Sequence, residues 1–68
     1  MKKLSLLDEK IEAYKQAIRI RPDYVRAHSN LGVAYLETGG KGSALEEYKI
    51  LKTLDAELAN KLFKLIDE

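Results

Sequence analysis

The segment Glu12-Ala-Tyr14-Lys15 is followed 34 residues later by the closely similar segment Glu46-Glu-Tyr48-Lys49. Further pairs of similar residues keep this spacing: Ile11 and Leu45, Ile20 and Leu54, Asp23 and Glu57, and Leu31 and Leu65. A fixed period of this length is typical of proteins built from stacked supersecondary units. Such units present surfaces to other molecules, so the period indicates a binding function rather than catalysis.

The composition is that of a small domain with balanced charges. The chain has 68 residues, with 12 basic and 11 acidic side chains, a net charge of +1 and no cysteine. A single core in a domain of this size contributes only about 3–5 kcal/mol. The lack of cysteine excludes disulfides and thiolate metal sites, and the balanced charge gives no long-range field to attract nucleic acid or an anionic membrane.

The amino-terminal sequence predicts neither a targeting signal nor a membrane segment. Its apolar run ends at Asp8, whereas a signal peptide needs an apolar stretch of about 7–15 residues. No stretch approaches the roughly 20 apolar residues of a membrane-spanning helix. We therefore expect a cytoplasmic protein with no membrane or nucleic-acid partner.

Apolar residues at steps of three and four predict helices. Ser5 and Asp8 form the pattern of a capping box, so the first helix is expected to begin near Leu6. Pro22 ends this helix, because the residue before a proline is disfavoured in the helical region. The residues predicted to face inward from this helix are Leu4, Leu7, Ile11, Tyr14 and Ile18.

Two further helices are predicted in the middle of the chain. Asp23 is placed to cap a second helix from about Tyr24 to Thr38, and the pair Gly39-Gly40 ends this helix. A third helix is expected from about Ser43 to Leu54. The residues predicted to face inward from these two helices are Ala27, His28, Leu31, Ala34, Tyr35, Ala44, Leu45, Tyr48, Leu51 and Leu54.

A fourth helix is predicted from Ala56 to about Ile66, with Asp55 placed to cap it. The predicted fold class is therefore all-α, with antiparallel helix-turn-helix repeats and no strand. Ala56 stands where the period would place a second Pro22, so a fusion of the third and fourth helices, with exchange of ends between chains, is an alternative. The residues predicted to face inward here are Leu58, Leu62, Leu65 and Ile66.

Small and large residues follow a recognisable order in the middle of the chain: Asn30-Leu31-Gly32-Val33-Ala34-Tyr35, Gly39, Ala44-Leu45-Glu46-Glu47-Tyr48 and Leu51. This order resembles one full tetratricopeptide repeat (TPR). The upstream segment with Tyr14, Ala17 and Pro22 is similar to the second helix of a preceding repeat. The resemblance implies about one and a half repeats plus a closing helix: residues 1–22 as a partial repeat, 23–55 as the full repeat and 56–68 as a capping helix.

Gly32 lies in the middle of a predicted helix, where glycine lowers helix stability by about 1 kcal/mol relative to alanine. Its presence is explained if another element packs too closely there for a side chain. We expect that reason to be a close approach of the third helix at Ala44. Lys10 takes the small-residue position of Ala44 in the preceding unit, where we expect it to be solvated.

The resemblance also implies a binding surface, since the first helix of each repeat in this family lines a concave groove that holds peptides. Asn30 can both donate and accept hydrogen bonds, which suits a peptide backbone. The alternative, that this stripe faces solvent or packs on another copy, stays open. Ser29 and Val33 replace the lysine and asparagine of the carboxylate-clamp subfamily, so that activity is not expected. The candidate groove residues are Arg26, Ser29, Asn30, Val33, Leu36 and Glu37.

Self-association is a second function of a different class. The first helix is expected to lack a neighbour on one side, which would leave apolar surface to be covered by a second copy, most simply in a two-fold dimer. The chain would then be a structural or engineered repeat unit without a specific ligand. The candidate self-association residues are Leu4, Leu7, Ile11 and Ile18.

No residue pattern predicts an enzyme, a metal site or a cofactor. His28 is the single histidine, and we expect it to pack against a neighbouring helix. The Gly39–Ser43 segment lacks the spacing of a phosphate-binding loop and follows a helix rather than a strand. Glu46 and Glu47 are expected on outward faces with nearby lysines, as solvated helical ion pairs.

Overall fold

Four α-helices joined by short turns make up residues 5–67, the part of the chain that the computed structural model describes. No strand occurs in this range, and the predicted all-α class is confirmed. The helices are α1 (Leu6–Ile20), α2 (Val25–Glu37), α3 (Lys41–Leu54) and α4 (Ala56–Ile66).

Helix α1 begins and ends where the sequence predicts. The Ser5 hydroxyl accepts a hydrogen bond from the Asp8 N–H at 3.1 Å, and the Asp8 carboxylate accepts one from the Ser5 N–H at 3.4 Å. This reciprocal capping box satisfies amide groups that no helical carbonyl can reach. The helix ends at Ile20, Arg21 caps it, and the turn follows at Pro22 and Asp23.

Helix α2 lacks the side-chain cap predicted for its start. The capping residue is Tyr24 rather than Asp23, and no side chain accepts a hydrogen bond from the first turn. Asp23 lies one position before the cap residue, where a carboxylate does not occupy the N-cap geometry. The end of α2 agrees with prediction, because Gly39 adopts a φ of +81° that suits glycine.

Helix α3 begins at Lys41, two residues before the predicted start at Ser43. The cause is Gly40, whose carbonyl already accepts the Ala44 N–H at 2.9 Å and so starts the helical ladder. Helices α3 and α4 are separate, and the proposed fusion is wrong. Asp55 has extended backbone angles and accepts the Leu58 N–H at 3.2 Å, so it ends one helix and caps the next.

Two apolar clusters form the core. The N-terminal cluster lies between α1 and α2, and the C-terminal cluster joins α2, α3 and α4. Within the described residues, α1 packs against α2 and against no other helix. The N-terminal cluster contains Ile11, Leu31 and Ala34, with Leu7, Tyr14, Ile18 and Tyr35 packed against it. The C-terminal cluster contains Ala44, Leu51, Ala59, Leu62 and Ile66, with Val25, Val33, Tyr35, Leu36, Leu45 and Tyr48 packed against it.

Helix α4 does not present the face that the period predicts. Leu31 is 2% exposed, but Leu65, which follows it by one 34-residue period, is 47% exposed. Leu54, the last residue of α3, is also exposed. These two predicted core positions are wrong, and Ala59 is buried instead. The stripe of Ala59, Leu62 and Ile66 turns inward because α4 packs on α2 and α3 together.

Gly32 allows another helix to pack closely against α2, but this helix is α4 and not the predicted α3. A Cβ atom at Gly32 would lie 2.6 Å from Cδ2 of Leu62 in α4. The predicted partner, Ala44, is not among the nearest atoms. The small residue therefore makes room for the closing helix rather than for α3. Lys10 is exposed, in agreement with prediction.

Candidate functional site

The structure divides the candidate groove on α2 into two parts. Arg26, Asn30 and Glu37 are exposed. Val33 and Leu36 are partly buried, because they pack against the C-terminal cluster. Ser29 has intermediate exposure. The polar residues of the stripe are thus the ones most available to another molecule, whereas two of its apolar residues belong partly to the core.

A shallow depression lies between α1 and α2 beside this polar part. Its volume is about 250 Å³, below the roughly 300–1,000 Å³ typical of small-molecule sites. It is therefore smaller than most small-molecule sites. Its lining residues are Tyr14, Ala17, Tyr24, Arg26, Ala27 and Asn30.

The lining of the depression offers mainly hydrogen-bond donors above small apolar residues. The Arg26 guanidinium donates, the Asn30 amide donates and accepts, and the hydroxyls of Tyr14 and Tyr24 do both. The Arg21 guanidinium lies 5.0 Å from the centroid of the Tyr24 ring. This cation–π contact holds one wall of the depression and brings a second positive charge close to it.

The sequence identified part of this depression and missed the rest. Arg26 and Asn30 were predicted as groove residues, and the structure brings them together. The sequence predicts Tyr14 as an inward-facing residue of α1, gives Ala17 a place only in the repeat pattern, and predicts Tyr24 as the first residue of the second helix. Pro22 is the feature of the sequence that could have indicated this depression, because a tight turn there brings the end of α1 beside the start of α2.

His28 connects three segments of the chain. Its Nδ1 lies 2.7 Å from Oε1 of Glu47 in α3, and its Nε2 lies 2.7 Å from the carbonyl oxygen of Pro22. A carbonyl oxygen can only accept, so Nε2 donates to Pro22, and one proton lies in the contact between Nδ1 and the carboxylate. Both His28 and Glu47 are buried.

The predicted outward position of Glu47 is therefore wrong. A buried carboxylate is stable when it is hydrogen-bonded, and His28 supplies the partner. The prediction is accurate for Glu46, whose side chain is exposed and lies 3.8 Å from Lys49. Adjacent glutamates on one helix thus have opposite environments, and this pair of buried polar residues has a structural role.

The three predicted self-association residues that the structure describes are not the exposed apolar surface of α1. Ile11 is buried, while Leu7 and Ile18 are partly buried against α2. Leu4 lies outside the described residues. The most exposed large apolar side chains of α1 are instead Leu6, at 80%, and Ile20, at 81%.

Residues 5–67 contain no group of three or more acidic or histidine side chains that could hold a metal ion. None of the helices described here is both long and apolar enough to cross a membrane.

Comparison with known protein families finds a similarity in the first half of the chain. The sequence model of the TPR repeat matches residues 7–39, which comprise most of α1, all of α2 and the turn after it. Neither a curated protein sequence nor a solved structure is significantly similar to the chain. The match, the 34-residue period and the four helices joined by short turns support a protein of the tetratricopeptide-repeat family, whose members generally act as protein–protein interaction modules.

Proposed function

We propose that the chain is a non-catalytic interaction module that binds a peptide or protein partner along the exposed polar part of α2. The depression between α1 and α2 is the observation that carries this proposal. It is lined by residues of α1, α2 and the turn between them, so a partner side chain seated there could be held from both sides.

The chemistry of the lining supports a peptide partner. Arginine and tyrosine are enriched among residues that dominate protein interfaces, and Arg26, Tyr14 and Tyr24 all line the depression. Asn30 adds an amide that can bond a peptide backbone. Ser29, Val33, Leu36 and Glu37 extend the contact along α2 in this proposal.

The division of the chain into a partial repeat, a full repeat and a capping helix is part of the same proposal. Residues 1–22 then contribute one wall of the binding depression through α1. Residues 23–55 contribute the stripe on α2, and residues 56–68 close the C-terminal cluster through α4.

Selection of heptapeptides from a displayed random library on the immobilised protein tests this function. We expect enriched peptides to lose about tenfold in affinity for an Arg26→Ala/Asn30→Ala variant, because two donors are removed. A Glu46→Ala/Lys49→Ala variant, which changes two exposed residues of α3, is the control and should bind normally. No enrichment, or equal binding to both variants, would refute the proposal.

Self-association is a second candidate function, and the exposure of Leu6 and Ile20 favours it. Covering such exposed apolar side chains with a second surface removes them from water and lowers the free energy. In this second proposal the chain forms a homodimer and is a structural unit without a specific ligand. A molecular mass that rises with protein concentration, together with no enriched peptide, would support it over the first.

A further inference from the structure

Helix α1 has two different apolar faces. The inner face packs against α2 through Leu7, Ile11, Tyr14 and Ile18. A second stripe consists of Leu6, Ala13 and Ile20, all exposed and spaced seven residues apart. Seven residues are close to two helical turns, so these three side chains lie along one side of α1. No other described helix contacts α1 there, since α1 packs against α2 alone.

This second stripe is self-complementary under a two-fold axis. Ala13 stands midway between Leu6 and Ile20. If two copies of α1 pack antiparallel with Ala13 at the axis, Leu6 of each copy lies against the partner's Ile20. The small side chain of Ala13 lets the two helices approach closely at the centre, with the large side chains at both ends.

The charges beside the stripe select the antiparallel arrangement. Glu9 and Arg19 lie on the same flank of α1, both exposed, and neither takes part in an ion pair within residues 5–67. In the antiparallel pair, Glu9 lies close to the partner's Arg19, and this contact occurs twice. A parallel pair would instead place Glu9 beside the partner's Glu9, where like charges repel.

We propose that the chain forms a weak two-fold dimer through antiparallel packing of the Leu6–Ala13–Ile20 stripe of α1, with Glu9 paired to the partner's Arg19. This inference rests on the proposed self-association and specifies its surface. The 15 residues of α1 span about 22 Å. A pair of such helices buries less than the roughly 1,200 Å² of a standard interface. We therefore expect weak association, with a dissociation constant on the order of 100 μM.

Sedimentation equilibrium of the full chain, from about 10 μM to about 1 mM, measures this association on the concentration scale expected for a small interface. We expect Ile20→Lys to remove dimerisation over the whole range, because it places a charge at both ends of the apolar stripe. Glu46→Arg on α3 is the matched surface control, and it should dimerise like the wild type. Circular dichroism of each variant checks that its helix content is unchanged.

A charge exchange tests the predicted pairing. Glu9→Arg should weaken dimerisation about tenfold, because two attractive contacts become repulsive. The double variant Glu9→Arg/Arg19→Glu should restore the affinity to within about threefold of the wild type, since each pair is re-formed with its charges reversed. Both variants carry the same Glu9→Arg change in the first turn of α1, so the rescue reports on the pairing and not on the helix.

The outcomes separate the two proposals. A wild-type dimer that persists unchanged in Ile20→Lys would show that the chain associates through another face, which overturns this inference alone. Failure of the charge exchange to rescue Glu9→Arg would overturn the antiparallel pairing. A wild-type chain that stays monomeric at about 1 mM, well above the expected dissociation constant, would refute both the surface and the self-association.

Discussion

The N-terminal and C-terminal clusters are built from similar residues but enclosed to different extents. Ala44, Leu51 and Ala59 in the C-terminal cluster are fully buried, because three helices meet there. The N-terminal cluster lies between α1 and α2 alone, and none of its three buried residues is completely enclosed: Ile11 is 8% exposed, and Leu31 and Ala34 are 2% exposed. A pair of helices leaves one side of its shared core open, and a third helix is needed to close it. This is the physical reason that repeats of this kind stabilise one another by stacking.

The largest expected effect tests this contrast directly. Leu62→Ala should lower the free energy of unfolding by about 3 kcal/mol, because it removes a fully enclosed side chain and leaves a cavity. Ile11→Ala should cost less, about 2 kcal/mol, since its site is open on one side and can relax. Urea denaturation followed by circular dichroism measures both. Equal costs would mean that the two clusters are equally well packed.

Gly32 tests how closely α4 approaches α2. Gly32→Leu should destabilise the fold by about 2 kcal/mol, because a side chain there overlaps Leu62 and pushes the closing helix away. Ser29→Leu, one turn earlier on α2, should leave the thermal melting temperature nearly unchanged and alter only binding. If the two variants melt alike, the assignment of these two faces of α2 is wrong.

The same contact predicts an interaction between two substitutions. Gly32→Ala removes a helix-destabilising glycine but crowds Leu62, and Leu62→Ala supplies the missing space. The free-energy change of the double variant should therefore differ from the sum of the single changes by about 0.5 kcal/mol or more in the stabilising direction. An additive result would place Gly32 and Leu62 out of contact.

Glu46 and Glu47, adjacent residues of α3, test how much a buried glutamate contributes to stability compared with an exposed one. Glu47→Ala should cost about 2 kcal/mol of unfolding free energy, because it leaves Nδ1 of the buried His28 without its partner. Glu46→Ala, its neighbour, should change stability by less than about 0.5 kcal/mol, since its ion pair with Lys49 is exposed to solvent. Both values come from the same denaturation experiment. A comparable loss in the two variants would contradict the buried position of Glu47.

The smallest expected effects compare two predicted caps. Asp55→Ala should cost about 1 kcal/mol, because its carboxylate accepts a hydrogen bond from the first turn of α4. Asp23→Ala should cost less than about 0.5 kcal/mol, since its side chain caps nothing in the structure. A shift of the thermal midpoint for each variant measures the difference. A larger cost for Asp23→Ala would show that it does cap α2.

Local features of the sequence determined the number, type and approximate limits of the helices. The capping box at Ser5, the stop at Pro22, the glycine at position 39 and the cap at Asp55 each depend on residues within a few positions of one another. Backbone hydrogen bonding and steric restrictions act over that same short distance, so these features were predictable. The repeat period and the residues around Gly32 were likewise sufficient to indicate the family.

Tertiary packing decided which face of each helix became a core and which became a surface. The period predicts Leu65 as a core residue, but α4 turns Ala59, Leu62 and Ile66 inward because it must fit two helices at once. Glu47 is buried because His28 reaches it from another helix. The depression that includes Tyr14 and Arg26 exists because the turn at Pro22 brings two helix ends together. These outcomes depend on contacts between residues distant in sequence, which helical periodicity and local caps do not encode.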